Sequence, residues 1–379
     1  MPKPIYLDYN ATTPHDPQVI EAMRPFLEEE FGNPSSSHLY GNAPHKAVMQ
    51  ARRQVASLLN CRPEEIVFTS GGTESNNHAI KGVADAYRDK GNHIITSRIE
   101  HPAVLEVCAY LESQGREVTY LPVDDQGLVS AVAVADAIKQ NTILITIMHA
   151  NNEVGTIQPI SEIGEIAKSR GILLHTDAAQ SPGKIRVEVD TLGVDLLSIA
   201  GHKIYAPKGV GALYIRNGVK LTNLMHGAGQ EFGRRPGTEN VLEIAGLGKA
   251  CEIAKRDLDK NMTHMQQMRD RLYEGIKKEC TQVKLNGHPQ KRLPNTLSLS
   301  FRDLEANRIL DKISHRVAAS AGAACHSDMV EVSQVLKAMG VPLNWAKGTL
   351  RLTTGRRTAE ADIDRAVAVI SRAVKSLKG

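Results

Sequence analysis

Long apolar runs are missing from this sequence of 379 residues. No stretch approaches the roughly 20 apolar residues needed to cross a bilayer. The N-terminus, MPKPIYLDYNATTP, has no apolar core of the signal-peptide type. Runs of lysine and arginine are missing as well, and 46 basic residues nearly balance 42 acidic ones. The sequence therefore predicts a soluble, cytoplasmic protein that binds neither membrane nor nucleic acid.

Cysteine is scarce and scattered, without CxxC or metal-ligand spacing. This pattern argues against structural disulfides and against a zinc site, so we predict no metal. Cys108 and Cys251 lie within helical apolar patterns and are predicted core residues. Cys61 and Cys280 lie at predicted element ends, and we assign neither a catalytic role. Cys325 lies in SAGAACHSD, a stretch of small residues with little to pack.

Short β-rich runs alternate with helical patterns from about residue 65 to 217. EIVFTSG precedes the amphipathic ESNNHAIKGVADAYRDKG, and HIITSRIE precedes PAVLEVCAYLESQG. Parallel strands need crossover connections, and strands buried on both faces lose the alternation of apolar and polar residues. The pattern therefore predicts an α/β domain with a mainly parallel sheet covered by helices.

A long helical region from residue 240 to 280 follows, and then the pattern changes. The strand NTLSLSF, a helix near 304–314, the strand GTLRLTT and a terminal helix from about 358 predict a smaller α+β domain. We predict a large domain of residues 15–255 and a small domain that combines residues 1–14 with 256–379.

Two segments contain candidate ligand-binding residues. SGGTESNN lies between a strand and a helix, where Thr73 could cap the helix whose free N–H groups attract phosphate. A plain capped turn is the alternative. In HTDAAQS, Asp177 emerges at the C-terminal end of a buried strand, where open α/β sheets bind ligands. A helix cap or turn residue is the alternative there.

A third segment, SIAGHKIYAPKGVGALY, places Lys203 just beyond an apolar run. A lysine beside a sheet end can be desolvated, which lowers its pKa and allows it to form a Schiff base with an aldehyde. A solvated surface lysine is the alternative for any single lysine.

Seven motifs occur in the order and approximate spacing of the NifS-like cysteine desulfurases, which the sequence resembles over nearly its whole length. These are SGGTESNN, EHPAVLE, MHANNEVG, HTDAAQS, GHKIYAPKG, RPGTENV and GAACHSD. RPGTENV and GAACHSD resemble the selenocysteine lyase branch most closely. The resemblance implies a pyridoxal-phosphate-dependent transferase of fold type I, with pyridoxal 5′-phosphate as cofactor.

The resemblance also implies roles around the ring of the cofactor. Lys203 would bind it covalently and later move protons at the substrate Cα. Asp177 would pair with the pyridine nitrogen and keep the ring an effective electron sink. Gln180 would hydrogen-bond the phenolic oxygen, and His101 would stack on the ring and could serve as acid or base.

Further residues would hold the phosphate and the substrate. Thr73 and His202 would bind the phosphate, supplemented by Thr238 from a second subunit, which implies a homodimer. Asn152 would lie beside the cofactor and the substrate. Ala200 replaces a serine found in many cysteine desulfurases, which removes one possible phosphate donor and predicts slightly weaker cofactor retention, or compensation by another group.

Arg351, in TLRLTT, would bind the substrate α-carboxylate, since the planar guanidinium matches a carboxylate bidentately. Arg356 and Arg357 lie close by and remain alternatives. Cys325 would be the nucleophile that takes sulfur or selenium from the substrate and delivers it to an acceptor protein. His326 could lower its pKa. The small residues around Cys325 fit a segment that moves between cofactor and acceptor.

The predicted reaction converts L-cysteine to L-alanine, with the sulfur transferred to Cys325 as a persulfide. Release of selenium from L-selenocysteine is the alternative within the same chemistry. An aminotransferase of the same fold would share Lys203 and Asp177 but would not need Cys325. An inactive scaffold for sulfur transfer is a fourth hypothesis, against which the intact set of site residues argues.

Overall fold

The computed structural model describes residues 3–326 and 329–378, and for 323–326 and 329–331 it describes the backbone alone. The helices are α1 (Pro17–Glu28), α2 (Leu39–Leu59), α3 (Gly72–Ala86), α4 (Pro102–Ser113), α5 (Ala131–Ala137), α6 (Ile160–Ser169), α7 (Val189–Leu192), α8 (Val241–Arg256), α9 (Leu258–Glu279), α10 (Ala306–Ile313), α11 (Gln334–Ala338), α12 (Leu343–Ala346) and α13 (Glu360–Lys378). Within the described ranges, no helix is both long and apolar enough to span a bilayer.

The strands are β1 (Ile5–Tyr6), β2 (Ile66–Thr69), β3 (His93–Ser97), β4 (Glu117–Leu121), β5 (Thr142–Thr146), β6 (Leu173–Asp177), β7 (Leu196–Ala200), β8 (Gly211–Ile215), β9 (Val283–Asn286), β10 (Thr296–Phe301), β11 (Val317–Ala318), β12 (Ser320–Ala321), β13 (Ala323–His326), β14 (Met329–Val332) and β15 (Thr349–Thr353).

In the described part of the chain, a seven-stranded sheet has the order β2-β8-β7-β6-β5-β3-β4. Only β8 runs antiparallel to its neighbours in this sheet; the other pairs are parallel. Strands β3, β5, β7 and β8 are buried along their whole length, as expected for strands covered on both faces. The predicted α/β fold with a mainly parallel sheet is confirmed.

Helices cover both faces of this sheet. On one face, α3 and α4 form a core that includes Ile80, Val83 and Val107. On the other face, α2, α6 and α8 pack in a larger core that includes Val55 and Leu247. Each fully buried aliphatic side chain of this kind contributes about 1.5–3 kcal/mol to the free energy of unfolding, so the two layers hold the strand ends in fixed positions.

A second sheet, with the order β12-β15-β10-β9, is antiparallel and packs against α9, α10 and α13. The N-terminal strand β1 pairs in parallel with β11, and Leu7 is buried in the same core. Further along, Thr13 and Asp16 bond to backbone carbonyls of His202 and Tyr205 beside the large sheet. The N-terminal segment therefore runs from one core to the other.

The helical region predicted at residues 240–280 consists of two helices, α8 and α9, which meet at Asp257. The buried side chains of α8, such as Leu247, belong to the large core. Those of α9, such as Leu272, belong to the core of the second sheet. The division into domains near residue 255 stays a prediction, which these separate cores support.

Candidate active site

The C-terminal ends of the parallel strands border a cavity of about 330 Å³, within the size range of small-molecule sites. Several elements contribute to its wall: the start of α3, the start of α4, the end of β6 and the 3₁₀ turn Gly201–Lys203 after β7. The predicted site residues that line it are Thr73, His101, Asn152, Asp177, Gln180, His202, Lys203 and Arg351. The fold thus brings together residues that span most of the chain.

Lys203 presents its amine to the N-terminal segment. Its Nζ donates to the carbonyl oxygen of Asn10 at 2.6 Å and to that of Ala11 at 2.8 Å. Burial and the positive charge of Arg351 lower the pKa of Lys203 to about 8, although Asp177 and Asp8 act in the opposite direction. About a tenth of the amine is therefore neutral at pH 7, far more than for an ordinary lysine, and a neutral amine is the form that attacks a carbonyl carbon.

Asp177 is buried at the end of β6, and two donors hold its carboxylate. Asn76 Nδ2 donates to Oδ2 at 2.7 Å, and the backbone N–H of Ala179 donates to Oδ1 at 2.9 Å. The Oδ1 atom of Asn76 is buried without a hydrogen-bond partner among the described residues. The carboxylate is thus fixed in orientation at the cavity wall, ready to pair with a cationic group.

A buried polar row fixes the strand that carries Asp177. His175 Nδ1 lies 2.8 Å from Thr146 Oγ1 on β5, and its Nε2 lies 3.0 Å from Ser198 Oγ on β7. Burial lowers the pKa of His175 to about 3, so the ring is neutral and contributes hydrogen bonds without charge. These bonds link β5, β6 and β7 at His175, which is two residues before Asp177.

The N-terminus of α3 lies at the cavity wall. The helix begins at Gly72 with Gly71 as N-cap, and no side chain caps it. The prediction that Thr73 caps this helix is therefore wrong, because Thr73 lies inside the first turn. Gly71 has φ 148°, which favours glycine, and a Cβ at Gly211 would lie 2.7 Å from Gly71 Cα. The turn is thus packed closely while its first amides stay available for an anion.

His202 lies beside this helix end. Burial, together with Lys203 and other nearby lysines, lowers its pKa to about 4, so the ring is neutral. Its Nδ1 lies 3.3 Å from Thr12 Oγ1, and its backbone oxygen accepts from Thr13. Ala200 lines the same part of the wall, 3.5 Å from where a Cβ on Gly72 would lie. A neutral histidine and free amides are a donor set suited to phosphate.

His101 is the N-cap of α4, and its Nδ1 accepts a hydrogen bond from Ala103 N–H at 3.1 Å. Since Nδ1 accepts, the hydrogen of the neutral ring is on Nε2. Desolvation lowers the pKa of His101; Asp177 opposes this shift and Lys203 adds to it. The ring is therefore oriented by the helix start and predominantly neutral at neutral pH.

Arg351, on β15, has two of its five N–H donors left over among the described residues. Its guanidinium donates to Asp8 Oδ1 at 2.9 Å, to Ser320 Oγ at 3.3 Å and to the Asn152 carbonyl oxygen at 3.3 Å. The Nε atom is buried without a partner among the described residues. Such an unpaired donor in a cavity wall is suited to an anionic ligand group.

The alternatives to Arg351 face another part of the protein. Arg356 pairs with Asp16 and stacks over the Tyr205 ring, with Cζ 3.9 Å from the ring centroid. Arg357 pairs with the same carboxylate at 3.1 Å. Neither lines the cavity of the described chain. The geometry favours Arg351 for the substrate carboxylate.

Two predicted site residues are not part of the described cavity wall. Thr238 is exposed in the segment before α8. Cys325 lies in β13, which pairs with β14 opposite Val330, and its side chain lies outside the described residues, as does that of His326. The base of this hairpin is described: Gly322 N–H donates to the Thr349 carbonyl oxygen at 2.8 Å.

The thiols of the four other cysteines are poorly suited to nucleophilic attack. Burial raises the pKa of Cys61 and of Cys108 to about 12 and also raises the pKa of Cys251 and Cys280. Cys108 and Cys251 are core residues, as predicted. A thiolate is the reactive form, so none of these four is favoured as a nucleophile.

Sequence reasoning missed residues that complete the site. Asn76 lies one helical turn after Thr73, so its spacing could have placed it on the same face. Asn10, Ala11 and Asp8 had no such signal. They lie in an irregular N-terminal segment and reach the site only because that segment crosses between the two cores.

The sequence matches the Aminotransferase class-V family over residues 5–366. The chain belongs to the class-V aminotransferase family. It is 50% identical to the cysteine desulfurase IscS of Dictyoglomus turgidum over 379 residues, which covers 100% of this chain and 96% of that protein. It is also 50% identical to the cysteine desulfurase IscS of Methanosarcina thermophila, over 99% of this chain and 93% of that protein.

Solved structures agree with these relatives. A NifS-like protein superposes with a TM-score of 0.92 at 38% identity, covering 99% of each chain. A structure described as SspA in complex with cysteine has a TM-score of 0.82 at 40% identity, covering 94% of this chain and 100% of that one. The resemblance to NifS-like cysteine desulfurases and the predicted fold type I are confirmed.

The family depends on pyridoxal 5′-phosphate, and the site fits this cofactor. One cavity wall carries a lysine of lowered pKa, a buried carboxylate and an uncapped helix start, which match the aldehyde, the ring nitrogen and the phosphate. The predicted cofactor is therefore confirmed, and the assignment of each residue to a part of it is a proposal.

Proposed function

We propose that this protein converts L-cysteine to L-alanine and transfers the sulfur to Cys325 as a persulfide. The observation that carries the proposal is one cavity wall with Lys203, Asp177 and Arg351. Its relatives are named cysteine desulfurases, and one similar structure contains cysteine. The reaction balances, because L-cysteine and the Cys325 thiol give L-alanine and the Cys325 persulfide when one sulfur atom moves from the substrate to the protein.

Pyridoxal 5′-phosphate, when bound, supplies an electron sink for the charge that develops at the substrate Cα. Lys203 would hold the cofactor and then carry a proton at Cα, for which its lowered pKa suits it. Asp177 would hold the ring nitrogen, with Asn76 fixing the carboxylate. The first amides of α3, Thr73 and His202 would bind the phosphate.

Arg351 would orient the substrate through its α-carboxylate. Three of its five N–H donors are held by Asp8, Ser320 and the Asn152 carbonyl, which leaves two without a partner among the described residues. A substrate carboxylate competes with Asp8 for the same guanidinium, so amino acids that lack the carboxylate should bind poorly. This fixes the substrate Cα near Lys203, because both residues line one cavity.

Cys325 would act as the sulfur acceptor. Its thiolate forms an S–S bond with the substrate sulfur while the Cβ–S bond breaks, and the electron pair of that bond remains on Cβ, which is protonated to the methyl group of alanine. Strand β13, which carries Cys325, is separated from β12 by the single residue Gly322. Within β12, Ser320 pairs with Arg351 of β15. This proximity of hairpin base and cavity wall supports the assignment.

Replacement of Cys325 by serine tests the function. Persulfide formation from L-cysteine should fall by more than about a thousandfold, because serine cannot form the S–S bond. The matched control is Cys61→Ser, at a half-buried thiol outside the cavity wall, which should keep wild-type turnover. Alanine and persulfide are quantified together. Full amino-group transfer by Cys325→Ser would favour an aminotransferase and contradict the proposal.

A kinetic comparison of L-cysteine and L-selenocysteine tests whether the protein prefers sulfur or selenium. The resemblance of RPGTENV and GAACHSD to selenocysteine lyases makes L-selenocysteine the second candidate substrate. Comparable kcat/KM for both amino acids is the result expected for a desulfurase. A preference for selenocysteine by several orders of magnitude would assign the protein as a lyase instead.

We also propose a cytoplasmic homodimer that passes its sulfur to an acceptor protein. Thr238 is exposed on this chain, as expected for a residue that completes a partner's phosphate site. Phe31, Leu39 and Tyr40 are large apolar side chains that are 80%, 82% and 63% exposed. Contact with a second copy would cover such residues, and exposed apolar patches often mark interfaces.

A further inference from the structure

Lys184 is a buried lysine four residues beyond Gln180 in sequence, with no role in the chemistry proposed above. Its side chain is 5% exposed, and its Nζ donates to Gln180 Oε1 at 2.7 Å and to Asn10 Oδ1 at 3.3 Å. Both partners are uncharged amide oxygens. A lysine is rarely buried without an acidic partner, so this position calls for a functional reason.

Two hydrogen bonds fix the orientation of the side-chain amide of Gln180. Its Nε2 donates to the Asn10 carbonyl oxygen at 3.0 Å, and its Oε1 accepts from Lys184. An amide group has two N–H donors, so one N–H of Gln180 remains after the bond to Asn10. Gln180 also lines the cavity. Among the described residues no acceptor takes the second N–H, which leaves it for a ligand oxygen there.

We propose that Lys184 is a positioning residue that holds Gln180 Oε1, so that the free N–H of Gln180 donates to the phenolic oxygen of pyridoxal 5′-phosphate. This rests on the cofactor-binding part of the proposed function. Without Lys184, the amide of Gln180 would keep only one anchor, at Asn10. It could then turn its oxygen toward the anionic phenolic oxygen, which is repulsive.

Charge explains why Lys184 can occupy this place. Burial lowers its pKa well below the ordinary value, and the positive charges of Lys203 and Arg351 lower it further. This shift favours the neutral amine, which donates hydrogen bonds without a second full charge beside Lys203. Asn10 links the groups, because its carbonyl oxygen accepts from both Lys203 and Gln180 and its Oδ1 accepts from Lys184.

Spectral titration of the holoenzyme tests the proposal. The visible absorption of the cofactor bound to Lys203 changes with protonation, and a donor to the phenolic oxygen favours the deprotonated form. Lys184→Met should therefore raise the midpoint pH of this transition by about one unit, a tenfold change in proton affinity. Lys168→Met, at an exposed lysine on α6, is the matched control and should leave the midpoint unchanged.

A double-mutant cycle separates positioning from direct charge effects. Gln180→Leu should raise the midpoint, and adding Lys184→Met to it should produce no further shift, because the donor is already gone. Additive shifts would overturn the proposal, since Lys184 would then act on Lys203 directly. An unchanged midpoint in Lys184→Met would overturn it as well.

A second variant covers the case in which Lys184→Met does not fold. Lys184→Gln keeps a polar group near Asn10 but is shorter, so it should shift the midpoint in the same direction. A wild-type protein without visible cofactor absorption would instead contradict the proposed function itself, and this result is distinct from an unchanged midpoint in the variants.

Discussion

The reactivity of Lys203 is decided by a balance of charges at the scale of single residues. Burial and Arg351 disfavour its ammonium form, whereas the carboxylates of Asp177 and Asp8 favour it. The first two effects are larger, so the pKa falls. Because Asp8 also pairs with Arg351 at 2.9 Å, it reduces the effect of that positive charge on Lys203. The reactive amine thus depends on residues from the start and the end of the chain.

A labelling experiment on the cofactor-free protein measures this balance. The rate at which an amine-selective reagent modifies Lys203 should rise with pH and reach half its maximum near pH 8, because only the neutral amine reacts. Mass spectrometry of the peptide reports the rate, and exposed Lys168 is the internal control. A midpoint near the ordinary 10.5 for Lys203 would contradict the predicted desolvation.

Single residues also show what sequence patterns can and cannot reveal. Lys203, Asp177 and Arg351 could be named because they occur in motifs with a known order. Thr73 was placed as a cap by residue preference, whereas the helix begins at Gly72, two residues earlier than such a cap allows. Asn10 could not be predicted, since its contacts connect positions more than 140 residues apart.

At the scale of elements, the base of the β13–β14 hairpin is tied to the cavity wall. Ser333 follows β14 and is the N-cap of α11, where its Oγ accepts from Val335 N–H. The same hydroxyl donates to Glu153 Oε2, in the turn that begins with Asn152. Burial raises the pKa of Glu153, with Ser333 and Arg351 opposing the shift. The hairpin therefore leaves the fold at a fixed point beside the site.

Glu153→Gln tests whether this tie positions the hairpin. The rate of persulfide formation in a single turnover should fall several-fold, because a neutral amide holds the Ser333 hydroxyl less strongly than a carboxylate does. Cofactor absorption should not change. Glu252→Gln is the control, since this carboxylate also accepts from a side chain, Gln54, but lies outside the cavity wall. Equal rates in wild type and Glu153→Gln would exclude the positioning role.

Elements were predictable where the local pattern and the tertiary packing agree. The strands from β2 to β8 stand out because they are short apolar runs. Helices α1 and α2 were not predicted, because each contains an internal proline, Pro25 in α1 and Pro44 in α2, and proline weakens the local helix signal. Packing against α8 stabilises both helices in the folded protein. The break at Asp257 has no proline or glycine, and it occurs where the chain passes from one core to the other.

At the scale of the whole molecule, mixed dimers test the proposal that Thr238 of one subunit completes the phosphate site of the other. Thr238→Val should weaken cofactor binding about tenfold, as expected for loss of a hydrogen bond to a charged phosphate. A heterodimer of this variant with Lys203→Ala should recover one site of wild-type affinity, because the Thr238→Val subunit keeps Lys203 and receives Thr238 from its partner. Both subunits carry different tags, and the isolated heterodimer is titrated with cofactor.

The two homodimers of these variants are the controls, and neither should contain a wild-type site. A heterodimer that keeps the weak affinity of the Thr238→Val homodimer would place Thr238 in the site of its own subunit. That outcome would contradict the shared active site.

The sequence by itself determined the class of the fold, the cofactor and most residues of the cavity wall. Local physics is sufficient for the fold class, since strands buried on both faces must be apolar, whereas the cofactor and the site residues followed from the resemblance of seven motifs to a known family. The tertiary structure decided which residues orient those side chains. Asn76, Asn10, Asp8 and Lys184 act through hydrogen bonds between distant segments, and such contacts exist only after the two cores have packed and brought the N-terminal segment across the cavity.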